Sequence, residues 1–311
     1  MTVQELAGGR VMEMIGRSME RLMKSPPWWA WFSLMGLEIP SAAIAWAFAV
    51  SQSHLVVVSS PWLYQFLFVA VWCVNMLDRV VKVFRGGPAV YSDECLLFAK
   101  RHCFVISLLI VVAAVTGLWI MFFQLGVVIF QFALLPGVCS LLFLYFSTNP
   151  EKKGGLSSGF ALGAFFASVS FATGAGIPAY FYGTLGGGWG GQLSTSTWYL
   201  VALVILSMFS RKRWNEEEDD DEAQEDSASR DMVSLVWMGV IVIYVVFCLA
   251  AAAQEYTADA WIYYGLAMAG VFMFVLDRLK RTMPPLMLYT LSWVALIFPL
   301  MLSGLLAQAS R

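Results

Sequence analysis

The sequence predicts an all-α, polytopic membrane protein: a bundle of nine transmembrane helices, N-terminus cytoplasmic and C-terminus outside. Three observations carry that expectation. Hydrophobic residues make up 59 % of the 311 positions and charged residues 13 %, against roughly 45–50 % and about 25 % in soluble domains. The mean hydropathy of +0.72 belongs to the whole length rather than to one anchor. The basic residues also cluster in every second connection between apolar stretches.

A hydrocarbon core of roughly 30 Å takes about 20 apolar residues of helix. Stretches of that kind run at 29–50, 61–83, 103–123, 126–146, 157–181, 194–209, 232–253, 261–276 and 284–306. The third and fourth are separated only by Gln124-Leu125-Gly126. Residues 1–25 read as an amphipathic helix lying on the membrane surface, with Val11, Met12, Ile15, Met19 and Leu22 against Arg10, Glu13, Arg17 and Glu20. Pro26-Pro27 ends it, and Trp28, Trp29 and Trp31 form an aromatic belt at the head of the first span. That span follows a polar stretch and lacks a small-residue cleavage site, so it is not expected to be a cleaved signal peptide. Residues 26–311 form the transmembrane domain, with an acidic cytoplasmic loop at 211–231.

The N-terminal tail and the connections after spans two, four, six and eight hold every Lys and Arg except Arg311. By the positive-inside rule those connections are cytoplasmic. The expected location is the inner cell membrane, multi-pass. Cys73, Cys95, Cys103, Cys139 and Cys248 form no CxxC pair and read as small apolar side chains. The glycine-rich 183–191 lacks the lysine of a phosphate loop and reads as a flexible outer connection. No basic soluble domain is present, so nucleic-acid binding is not expected.

Polar chemistry gathers at the cytoplasmic ends of spans two and six. Asn75, Asp78, Arg79 and Lys82 are three or four apart and so share one helix face. A carboxylate and an amide oxygen placed so can share a Mg²⁺ with substrate phosphates, and Arg79, Lys82 and Arg85 can hold a diphosphate. The alternative is an ordinary helix end on which Asp78 pairs with Lys82. After span six, Arg211-Lys-Arg-Trp214-Asn215 leads into an acidic run from Glu216 to Asp226, which is either a solvated loop or a second metal site begun on a helix. Glu38, ahead of Pro40, must face the interior or be protonated. Asp277-Arg278 at the end of span eight repeats Asp78-Arg79, as a vestige of duplication or as two helices that end alike.

These features together resemble the UbiA superfamily of intramembrane prenyltransferases. Lys24-Ser-Pro-Pro-Trp-Trp is similar to that family's basic-then-proline approach to helix one. Asn75-Met-Leu-Asp78-Arg79 resembles its N-D-x-x-D-R signature. Lys152-Lys153, ahead of Gly159, Gly163, Gly174 and Gly176, resembles its basic loop, and Asn215-Glu-Glu-Glu-Asp219 stands where its second acidic motif lies. The resemblance implies that Asn75, Asp78, Asn215 and Asp219 hold Mg²⁺, and that Lys152 or Lys153 contacts diphosphate. It implies a prenyl group passed from an isoprenyl diphosphate to a lipophilic acceptor. The chain departs from the pattern at Met76 and Lys82, where the family has acids, and at Ala223. Two rivals stand beside this enzyme: a non-catalytic binder of a lipid or quinone-like molecule on the same fold, and a small transporter with helices broken near Glu38-Ile-Pro40 and Pro136-Gly137.

Overall fold

The computed structural model describes residues 27–54, 56, 60–86, 93–126, 128–147, 158–182, 194–220, 227–255 and 260–310, the side chains of 158, 215–220, 227–233, 281 and 285 excepted. The interfacial helix expected at 1–25, Lys152, Lys153 and the glycine run at 183–191 lie outside the described residues. Among the described residues the fold is all-helical, with no strand.

Each apolar stretch after the first coincides with one helix. In chain order the helices are α1 (Ala30–Leu34), α2 (Glu38–Ser53), α3 (Pro61–Arg85), α4 (Glu94–Arg101), α5 (Cys103–Trp119), α6 (Ile129–Ser147), α7 (Ser158–Tyr182), α8 (Thr195–Asp220), α9 (Ser227–Gln254), α10 (Ala260–Leu279) and α11 (Pro285–Ala309). A π-helical turn, Ile120–Leu125, closes α5, and Gly126 at φ +78° separates it from α6, which is where the Gln124-Leu125-Gly126 boundary was expected. Local chemistry sets the ends. Pro61 starts α3, where a missing N–H costs nothing, and Gly86 at φ +69° stops it. The Asp93 carboxylate caps α4, accepting from the amides of Cys95 at 2.7 Å and Leu96 at 3.2 Å.

The first span departs from expectation. It is not one helix but two, α1 and α2, with a turn at Met35–Leu37 built on Gly36 at φ +64°. Pro40 then falls in the first turn of α2, where proline is tolerated. By contrast α6 runs unbroken through Pro136, whose carbonyl accepts from the Ser170 hydroxyl of α7 at 2.8 Å.

Six helices are long and apolar enough to cross a membrane: 103–125, 129–147, 159–181, 234–254, 260–279 and 286–309. They mark a multi-pass membrane protein. They divide into an inner and an outer set. Only 17–22 % of the apolar windows of α5, α6 and α9 is buried, against 56–61 % in α7, α10 and α11. The outer set exposes Phe104, Val115, Phe122, Leu141, Val236 and Phe247; water does not tolerate so large an apolar surface, and lipid does. Polar and charged residues dilute the hydropathy of α3 and α8, and α2, at 16 residues, reaches only about 24 Å. It packs at the centre of the bundle, against α3, α7, α10 and α11. Ala42, Ala43, Ala45, Ala47 and Ala49 are all buried, so small side chains let neighbours close in on every side.

Candidate functional site

The break between α1 and α2 frees backbone carbonyls inside the bundle, where each needs a donor. One face of α3 supplies them. The Trp72 indole N–H donates to the Met35 carbonyl at 2.9 Å, the Asn75 amide to Gly36 at 3.2 Å, and Arg79 Nη1 to Ser33 at 2.9 Å and Leu34 at 3.1 Å. Positions 72, 75 and 79 follow the i, i+3, i+7 spacing of a helix face. Gly36 is required there twice over: by its backbone angle, and because a Cβ would stand 2.7 Å from Asn75 Nδ2 and 2.8 Å from Met76 Sδ.

The remaining Arg79 nitrogen, Nη2, donates to Glu38 Oε1 at 2.9 Å, and both side chains are almost fully buried. Glu38, expected either to face the interior or to be protonated, therefore faces inward as half of an ion pair. Its neighbourhood draws in α8 and α11. Glu38 and Arg211 lie within electrostatic reach of each other, and Tyr289 lies near Glu38. Arg211 Nε donates to Ser292 Oγ at 2.8 Å. Its guanidinium lies 4.1 Å from the centre of the Trp293 ring and 4.8 Å from that of Tyr289, two cation–π contacts. On the α4 side, burial pushes the Cys95 thiol up to about 12, against the pull of Arg79.

Asp78 turns the other way. Its Oδ1 accepts from the Ser147 hydroxyl of α6 at 2.6 Å, and its Oδ2 from Lys82 at 2.6 Å. Asn75, Asp78, Arg79 and Lys82 thus share a face that straddles two neighbours. Asn75 and Arg79 serve the α1–α2 break; Asp78 and Lys82 serve α6. Lys82 is partly exposed and Arg85 exposed. Asn215 and Asp219 lie on the last turns of α8; their side chains are outside the described residues. Among the described residues no three His, Cys, Asp or Glu side chains are grouped to hold a metal ion. Asp78, the one carboxylate on its turn, has both oxygens engaged, one by Ser147 and one by Lys82.

The repeated Asp-Arg pair ends two helices in different ways. In α3 both members are buried and Arg79 points inward. In α10, Asp277 is buried, accepting from the Trp214 indole at 2.9 Å with Arg213 at 3.3 Å, while Arg278 is exposed above Phe274. Sequence reasoning gave Arg211 no special role and did not mark Tyr289, Ser292 or Trp293. The one available signal is an arginine directly after an apolar stretch, and its partners sit about eighty residues away.

The fold and the site define a class: a multi-pass helical membrane protein with a buried ion pair and a further, half-buried arginine in its helical bundle. Compared with known proteins, the chain matches no family model, no curated protein and no solved structure.

Proposed function

We propose that this is a divergent UbiA-type prenyltransferase of the inner cell membrane, binding an isoprenyl diphosphate and a lipophilic acceptor at the cytoplasmic ends of α3 and α8. The bundle would then cross the membrane nine times, α1 and α2 together making the first crossing, with the N-terminus inside and the C-terminus outside. One observation carries the reading: Arg79 near the end of α3 and Arg211 near the end of α8 approach the same Glu38. In this reading the charged ends of spans two and six flank one interior, as prenyl transfer from a diphosphate held between them requires. The basic side chains there do the work that the acids do elsewhere in the family. Lys82 stands where a carboxylate would, and with Arg85, Lys152 and Lys153 it offsets the charge that builds on the departing diphosphate. As the allylic carbon–oxygen bond breaks, that charge stays on the leaving group; the acceptor forms the new bond and gives up a proton.

A second reading, a non-catalytic binder of an isoprenoid lipid, is favoured by a specific observation: Asp78 is tied to Lys82 and Ser147. Turnover separates the two. Purified protein in lipid nanodiscs, given farnesyl diphosphate, membrane lipid extract and Mg²⁺, should release pyrophosphate in step with a prenylated product. Binding without release of pyrophosphate favours the second reading, and absence of binding defeats both.

A further inference from the structure

Around Arg211 three buried polar atoms have no hydrogen-bond partner among the described residues: Arg211 Nη2, Trp293 Nε1 and Glu38 Oε2. Two are donors and one is an acceptor, and they belong to three helices, α8, α11 and α2, of which α11 packs on both of the others. Arg211 and Trp293 are in ring contact, and Glu38 is within electrostatic reach of Arg211. Buried polar groups are almost always partnered, so three unpartnered atoms on interacting residues point to a missing partner.

The charge says what kind of thing. Among the described side chains Glu38 is the one carboxylate that acts on Arg211, and it is closely matched by Arg79, which leaves the Arg211 guanidinium as an excess positive charge among them. Asp93, the next carboxylate toward Arg79, is committed to the amides that open α4. A water molecule could satisfy the three hydrogen bonds, but it would leave that charge uncompensated, and buried charge is costly without a counter-ion. An oxyanion that retains one hydroxyl answers every demand. Its charged oxygens accept from Arg211 Nη2 and Trp293 Nε1, and its hydroxyl donates to Glu38 Oε2.

We propose that Arg211, Trp293 and Glu38 form a buried, metal-independent site for a singly charged phosphate group, either a free phosphate or the monophosphate head of a membrane lipid. The site does not rest on the prenyltransferase reading. Lys82 and Arg85, assigned there to diphosphate, take no part in it. Ser292 orients Arg211 through the Nε hydrogen bond, and Tyr289 and Trp293 make cation–π contacts with its guanidinium.

The test is binding to the full chain in neutral detergent with EDTA present, followed by tryptophan fluorescence and by thermal stabilisation. The probes are inorganic phosphate and dodecyl phosphate, with dodecanol as control. Wild type should bind phosphate or dodecyl phosphate and not respond to dodecanol. Preference for dodecyl phosphate assigns the site to a lipid head, and equal affinity assigns it to a soluble oxyanion. Arg211→Gln should weaken binding about 10- to 100-fold, the worth of a charge-assisted hydrogen bond. Trp293→Phe keeps the ring, removes only the N–H, and should weaken binding about threefold or more; it serves if Arg211→Gln does not fold. Lys82→Ala should leave this binding unchanged. No binding in wild type, or equal affinity in wild type and Trp293→Phe, overturns the proposal.

Discussion

Replacing Arg79 with methionine separates a structural clasp from a diphosphate ligand. Arg79 makes three hydrogen bonds in the interior: to Glu38 Oε1 and to the carbonyls of Ser33 and Leu34. Methionine fills similar space and makes none of them. Breaking a buried pair from one side costs about 3–5 kcal/mol, because the other charge is left bare. Leaving two buried carbonyls unpaired adds about 1–3 kcal/mol. Arg211, within electrostatic reach of Glu38, recovers part of the first figure. The expected loss is therefore at least about 3 kcal/mol, read by unfolding in mixed micelles of neutral detergent and SDS. The double variant Glu38→Met/Arg79→Met removes both charges, so it should lose less than the two single variants added together, with a coupling of at least about 1 kcal/mol. A loss under about 1 kcal/mol for Arg79→Met, or strict additivity in the cycle, would refute the clasp. If Arg79 were instead a surface contact for diphosphate, the variant would lose affinity for diphosphate and keep its stability.

Other outcomes follow from the same geometry. Gly36→Ala should cost more than the ~1–2 kcal/mol of a left-handed non-glycine residue, because its Cβ would also strike Asn75 and Met76; micelle unfolding reads this, and a wild-type midpoint would contradict it. Cys95 should stay unlabelled by N-ethylmaleimide at pH 8 until the protein unfolds. Its folded-state pKa of about 12 lies above the ordinary thiol value near 9, so the stabilisation is complete below pH 9 and is lost as pH rises toward 12. Rapid labelling of folded protein would contradict the burial. In a cysteine-free background, cysteines placed at Gly187 and near the C-terminus should react with an impermeant reagent from outside intact cells, and one at Asp220 should not. Reaction at 220 would overturn the nine-span topology.

The fold was largely legible because apolar length is a strong signal. A membrane span needs about 20 residues, and each stretch read that way has a helix within it. The break after α1 was harder to see, although its ingredients were present: a glycine, then an acid, then Pro40. A single, mostly apolar stretch of 22 residues, 29–50, reads equally well as one helix. The site was less legible, for a geometrical reason. Helix spacing tells which residues share a face, but not how many neighbours that face meets. Asn75 and Arg79 are turned toward α1 and α2 and Asp78 toward α6 by a rotation of less than a third of a turn, and only packing decides it. Nor does spacing locate a distant partner. The pairing of Glu38 with Arg79, and of Arg211 with Ser292 and Trp293, joins elements far apart in the chain.

The central claim, that basic side chains at the cytoplasmic end of α3 receive a diphosphate, is tested most directly by farnesyl diphosphate affinity measured in EDTA and in Mg²⁺. The proteins compared are wild type, Lys82→Ala and Asp78→Asn, all in nanodiscs. Wild type should bind in EDTA, and Lys82→Ala should weaken that binding about 10- to 100-fold, as the loss of a charge-assisted contact does. Asp78→Asn should bind at least as well as wild type, because it removes a negative charge that holds Lys82. Binding that requires Mg²⁺ and disappears in Asp78→Asn would contradict the claim and return Asp78 to the role of metal ligand.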